Sequence, residues 1–359
     1  MSLDNEEVVN DIDHETGKEI QITEESKRPN NFISSLLYSR LTVFHPSTRP
    51  TSYMIKKLTE VAKKGGTDPN QPLERSYVSS YGKDFQIDLH VDYLLQPHRD
   101  LLDTLLAHAT TITLDDESYQ SGRHLRWSDV FRTIEDGHGI KTGSGPSDEL
   151  DIITDRSAIV LSMSMYELAQ RMGMRPHRSV YQQIERRIYQ LYSSFLSVGE
   201  LDDNGSVTSR AMLRFIQDFR LFYDASKNKN GRSDGTVANH VFVIPDRSLL
   251  KSIKEHGYFL RLEQILMSNY SKPGVRSFIK YMTTHKASYI NGKKLDWLVD
   301  KYIESIPSPV SRSFKYDLIS NLLALARQIE TDFKVQFKTH NNVTKIYPVG
   351  NVENFDETA

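Results

Sequence analysis

The sequence predicts an α+β protein made of two successive helix–helix–hairpin units behind an acidic tail, and three observations carry that reading. Met165–Val198 reads as a short helix, a turn at Gly173 and a longer helix with Val180, Ile184, Ile188, Leu191 and Phe195 at helical spacing. Ser311–Thr331 repeats such a stripe with Phe314, Leu318, Leu322, Leu325 and Ile329, and a short basic hairpin follows it. Runs such as His240–Ile244 (HVFVI) have the length and β-branched content of strands.

Length and charge set the frame for these elements. The 359 residues suffice for two or three domains with cores of their own. No apolar run approaches the roughly 20 residues of a membrane span, and the acidic start is no secretory signal, so a cytoplasmic protein is expected. The absence of cysteine excludes disulfide frameworks, thiolate zinc sites and cysteine nucleophiles. The net charge of −2 hides a division. Residues 1–30 hold nine acidic and three basic side chains, the last nine residues add three carboxylates, and 31–350 carry a net +7. A basic body between acidic tails suits a partner that is itself a polyanion.

Taken in order, residues 1–30 are polar and acidic and are expected to be disordered. Phe32–Phe44 (FISSLLYSRLTVF) is apolar enough to fold or to dock, within an N-terminal extension over 31–75. Met54–Lys64 reads as a short helix ended by Gly65-Gly66. Phe85, Ile87 and Leu89 alternate as in a strand, and Val91–Ala109 is mostly helical. Residues 135–149 read as a flexible loop, and Ile159–Met163 leads into the first helix–turn–helix segment. The turn residues GELDDNGS then introduce Met212–Tyr223, whose partner is the returning strand His240–Ile244.

The order repeats. Ser248–Met267 reads as a helix, Pro273 opens another over Gly274–Ala287, and Leu295–Ile303 is a third. After Ser311–Thr331, Lys334–Lys338 and Lys345–Val349 pair across His340-Asn341-Asn342. Helix, helix, hairpin is the order of a winged-helix domain. The expectation is therefore two tandem winged-helix DNA-binding domains, over 76–246 and 247–350, with an acidic tail at 351–359.

A helix that enters a DNA groove needs an apolar face toward its own core and basic or amide groups near its N-terminus. The first unit offers Arg175, His177, Arg178, Gln182, Arg186 and Arg187. The second offers Arg312, Lys315 and Arg327 on its helix and Lys334, Lys338 and Lys345 on its hairpin. Lysines on a wing contact phosphate well, because a flexible ammonium needs no fixed geometry. The competing readings are a helical hairpin with a solvated face, and an edge hairpin carrying lysine against aggregation.

No catalytic centre emerges. The loop GHGIKTGSGPS places Lys141-Thr142 ahead of Gly143 and Gly145, the reverse of a phosphate-binding P-loop. His90-Val91-Asp92 lacks the second histidine of a rolling-circle nickase, and no His-x-x-Arg stands before Tyr302, Tyr316 or Tyr347 as a tyrosine recombinase requires. Neither enzyme, cofactor nor metal is expected.

YELAQRMGMRPHRSVYQQIERRIYQL, HVFVIPDRSLLKSI, GYFLRLEQIL, VRSFIKYMTTHKASY and LARQIETDFKVQFK together resemble the plasmid replication initiators built from two winged-helix domains, particularly the broad-host-range family, over roughly residues 85–349. This chain departs from that family in its near-neutral charge and in the insertion at 135–150. The resemblance implies a protein that binds repeated origin sites on double-stranded DNA. It implies opening of adjacent A·T-rich DNA with a host initiator ATPase, loading of the replicative helicase, and exchange between a repressing homodimer and an initiating monomer. The alternatives are a winged-helix transcriptional repressor and a DNA strand-cleaving recombinase.

Overall fold

The computed structural model describes residues 9–13, 18–22, 31–35, 43–65, 71–80, 83–113, 159–222, 238–246, 259–263, 267, 269–284 and 291–348. They form a mixed α+β structure in which helices and antiparallel sheets alternate. The glycine-rich segment 135–149 and the C-terminal 351–359 lie outside the described residues.

Near the N-terminus, β1 (Val9–Asp13) pairs with β2 (Lys18–Ile22). The segment expected to be disordered therefore contains a hairpin, with apolar Val9, Ile12, Ile20 and Ile22 spread through two short strands. Next, β3 (Asn31–Ser35) pairs with β12 (Phe259–Glu263) far along the chain. Phe259–Glu263 is thus a strand where a helix over Ser248–Met267 was expected. Five residues of FLRLE alternate as readily as they coil, and the distant partner decides.

The first core runs from Val43 to Val243. It takes in α1 (Ser52–Lys63), β4 (Glu74–Ser80), β5 (Lys83–His90) and α2 (Gln96–His108), followed by β6 (Thr110–Thr113) and β7 (Ile159–Ser164). Then come α3 (Met165–Arg171), α4 (Arg178–Ser193), β8 (Phe195–Leu201), β9 (Val207–Arg214), β10 (Ile216–Phe222) and β11 (His240–Pro245). Two sheets result, ordered β4-β5-β8-β9 and β10-β11-β7-β6. Val43, Phe44, Met54 and Leu73 are buried in this same core, so the expected extension over 31–75 contributes to the first unit rather than standing apart from it.

Two local expectations change here. The apolar stripe ends at Leu191, because the helix stops at Ser193 and Phe195 opens a strand. The run Met212–Tyr223 is not one strand but two, divided at Phe215. Phe215 is fully buried against the Phe44 ring, 5.3 Å between centroids, where the chain crosses from one sheet to the other.

The second core runs from Met267 to Ile346. It is built on α5 (Pro273–Thr284), β13 (Lys293–Lys294), α6 (Leu295–Glu304), α7 (Phe314–Ala324), α8 (Ala326–Phe333), β14 (Val335–His340) and β15 (Val343–Pro348). Its sheet is ordered β13-β15-β14. The helix expected over 311–331 is interrupted at Leu325, whose backbone (φ −103°, ψ 5°) leaves helical geometry between α7 and α8. The hairpin turns on Asn341 (φ 47°) and Asn342 (φ 62°), left-handed positions that asparagine tolerates.

Charged side chains meet between the two cores. Asp100 of α2 accepts from Arg276 of α5 at 2.9 Å. Asp103 contacts Lys280, and Arg99 Nε lies 3.6 Å from the same carboxylate. Arg99 is fully buried with its guanidinium 5.7 Å from the Phe44 ring centroid. Burial, with Arg99 alongside, pushes the Lys280 ammonium well below the usual lysine range, and Asp100 opposes that. Asp100, Asp103, Arg276 and Lys280 line a cleft of about 280 Å³ that reaches Arg171 and Gly173 of the first helix–turn–helix.

Candidate nucleic-acid interface

In the first unit the turn is set by short-range bonding. Ser164 Oγ accepts from Glu167 N at 3.1 Å and starts α3. Ala169 is fully buried, and its carbonyl accepts from Met174 N at 2.9 Å. Gly173 sits at φ +69°, a conformation that costs other residues roughly 1–2 kcal/mol. His177 then caps α4, its Nδ1 accepting from Ser179 N at 3.3 Å. The helix buries Ile184, Ile188 and Leu191 and exposes Arg178, Gln182 and Arg186, with Arg175 and His177 exposed just ahead.

Arg187 is the exception among the expected contacts. It is half-buried, with Nη1 3.9 Å from Met174 Sδ, and desolvation lowers its pKa, Asp100 opposing. The reason is angular. Three residues from Ile184 it lies only about 60° off the buried stripe, whereas Arg186 lies roughly 160° away. Arg187 therefore faces inward, where the sequence placed it outward.

Residues with no earlier assignment complete this end of α4. Gln190 donates to Asp92 Oδ2 at 2.7 Å, and its Oε1 pairs with His98 Nε2 at 2.8 Å, tying α4 to α2. Tyr189 and Tyr192, both substantially exposed, meet Phe219 edge-on at 4.9 and 5.3 Å between centroids. Tyrosines one turn apart would have been found only by pairing the helix with β10.

In the second unit Arg312 is exposed but precedes α7, whose cap is Ser313. Lys315 is half-buried and already engaged. Its Nζ lies 2.6 and 2.8 Å from the two Asp300 carboxylate oxygens on α6, and that bond raises its pKa. Lys315, expected to contact DNA, is thus ion-paired within the protein, because α6 brings a carboxylate that the helix's own stripe cannot reveal. Arg327, Lys334, Lys338 and Lys345 are all exposed. Lys334 closes α8 in a left-handed conformation (φ 51°). Lys338 and Lys345 stand directly opposite across the hairpin, and Lys338 Nζ lies 5.3 Å over the Tyr347 ring.

The sequence reading passed over β13. Lys293 Nζ lies 5.3 Å over the ring of the exposed Trp297, and Lys294 pairs with Lys345 in register. Two lysines ahead of a helix read as an ordinary cap region until the strand pairing sets them beside the hairpin. No helix among the described residues is long and apolar enough to cross a membrane.

No protein-family model and no curated protein matches the chain. Among solved structures it is similar to selenomethionine derivatives of domain 2 and domain 3 of RctB, at 12% identity and a TM-score of 0.44, covering 79% of this chain and 94% of that one. A crystal structure of RctB domains 2-3 aligns at 12% identity and a TM-score of 0.38, covering 78% and 92%. At these values the likeness assigns no residue and no activity, so the interface is read from this chain's own side chains.

Proposed function

We propose that the chain is a DNA replication initiator that grips duplex DNA at repeated sites through two winged-helix units, the first built on the Val43–Val243 core and the second on the Met267–Ile346 core. The observation that carries this reading is a repeat of topology. With β6, which precedes β7 and pairs on its outer edge, set aside, helix, strand, helix, helix, strand, strand occurs as α2, β7, α3, α4, β10, β11 and again as α5, β13, α6, α7–α8, β14, β15. In both, the last strand lies between the other two, as β7-β11-β10 and β13-β15-β14. In the first unit the β8–β9 hairpin is inserted before the closing strands and pairs elsewhere.

In such units the second helix of the helix–turn–helix lies in the major groove, and hairpin lysines hold phosphate. That role falls to α4 in the first unit, with Arg175, Arg178, Gln182 and Arg186, and to Arg312 and Arg327 in the second. Arginine and glutamine reach base edges bidentately, while Lys334, Lys338 and Lys345 position the duplex. Two reading modules in one chain favour an initiator, since a simple repressor gains its second module by dimerising. Origin opening with a host ATPase, helicase loading, exchange between dimer and monomer and a cytoplasmic setting belong to the same proposal.

A footprint on DNA from the chain's own replicon tests it. Evenly spaced protected repeats beside an A·T-rich tract are expected. A single protected palindrome at a promoter replaces the reading with repression, and covalent attachment to a nicked strand through tyrosine replaces it with strand cleavage.

A further inference from the structure

Three lysines form one row across the sheet of the second unit. Lys294 on β13 lies opposite Lys345 on β15, which lies opposite Lys338 on β14. Residues directly opposite share a face, so the three ammonium groups project from one side of the sheet. All three are exposed, and none is ion-paired among the described residues. Like charges directly opposite destabilise a sheet, and Lys345 meets one on each side.

Protection of a sheet edge does not account for this arrangement. Edge lysines guard outer strands, whereas Lys345 sits on the central strand β15. The other positions on that face are Gln336 and His340 of β14 and Val343 and Tyr347 of β15, with no carboxylate among them. Tyr347 lies under Lys338, and its ring occupies the space beside Gly292 (φ +75°), where a Cβ would come within 2.3 Å of it.

We infer that the Lys294–Lys345–Lys338 row is a track for the sugar–phosphate backbone of duplex DNA, bound without regard to base sequence. Strands about 4.8 Å apart make the row roughly 10 Å long. Over that distance the axis of a DNA duplex advances about three base pairs at ~3.4 Å each. A polyanion laid along the row relieves the repulsion that the free protein carries. The inference rests on the DNA-binding reading above and adds Lys294, on a strand outside the hairpin, to the contact surface.

The test uses the full chain and a labelled mixed-sequence duplex, titrated across salt concentrations. Lys294→Gln, Lys345→Gln and Lys338→Gln are each expected to reduce the slope of log K against log salt by about 0.9. Lys345→Gln is also expected to raise the midpoint of thermal unfolding without DNA. Lys301→Gln, an exposed lysine paired with Glu304 at 2.6 Å outside the row, should leave the slope unchanged. Wild-type slopes in all three row variants, with duplex binding intact, overturn the track and leave the initiator reading standing. A wild-type chain that binds no duplex overturns both. A lower unfolding midpoint for Lys345→Gln overturns the repulsion on which the argument is built.

Discussion

Arg186 and Arg187 are neighbours in sequence and opposites in environment, one solvated and one desolvated beside Met174. Arg186→Ala is therefore expected to weaken duplex binding by roughly 1–3 kcal/mol if it reads a base. Arg187→Met should change affinity little, because the guanidinium already faces the protein. Fluorescence anisotropy on one duplex separates the two, and equal losses would return Arg187 to the interface. His45 carries a second prediction at this scale. It is almost fully buried, beside Ser47 at 2.8 Å, and burial drags its pKa from 6.5 to about 4, the Pro309 backbone opposing. Above pH 6.5 both folded and unfolded states are neutral there. Between 6.5 and 4 mainly the unfolded chain takes the proton, so stability falls as pH falls, by about 3 kcal/mol in all. His45→Gln should flatten that part of a stability–pH curve measured by denaturant unfolding.

Glycine positions test the elements. Gly173 meets nothing within 4 Å of an added Cβ, so Gly173→Ala costs only the left-handed backbone, about 1–2 kcal/mol. Gly292→Ala adds a clash with the Tyr347 ring to a similar backbone cost and should destabilise the second unit by more. Thermal unfolding ranks the two, and an equal loss would mean that the ring moves aside freely. Gly173 was a candidate turn from sequence and Gly292 was not, and only the packed hairpin distinguishes a position needing φ alone from one needing space as well. The break at Leu325 is similar. Phe314, Leu318 and Leu322 continue in phase to Ile329, so the stripe reads as one helix, and only the backbone shows two.

At the scale of the molecule, Asp103 lies at the charged contact between the two cores. Asp103→Asn removes one carboxylate from beside the buried Arg99 and Lys280, leaving Asp100 nearby, and should cost up to about 3–5 kcal/mol, the range for removing one partner of a buried pair. Adding Lys280→Met should recover much of it, since a buried apolar side chain needs no counter-charge. Denaturant unfolding of the single and double variants checks both, and a double variant no more stable than Asp103→Asn would refute the coupling. The whole interface predicts strong salt dependence. With about 6–10 phosphate contacts, affinity should fall roughly 10³–10⁵-fold between 50 and 200 mM salt, and a flat response would point to a protein-binding scaffold. The −6 balance of residues 1–30 adds that deleting them should leave duplex affinity equal or tighter.

Periodicity alone determined which residues share the face of one element. It marked Ile184, Ile188 and Leu191 as buried, while turn residues placed Gly173 and the Lys338–Lys345 hairpin and charge counting made the body between acidic ends basic. The two hairpin pairings, β10 with β11 and β14 with β15, were legible from sequence, but pairing between distant elements was decided only in three dimensions. Lys294 joins the hairpin through β13, Asp300 claims Lys315, Phe215 divides two strands, and Phe259–Glu263 becomes a strand because β3 lies beside it. The physical reason is that the periods of 3.6 and 2 are local properties of the backbone. Which strand meets which depends on closing loops across the chain, and no spacing within a single segment records that closure.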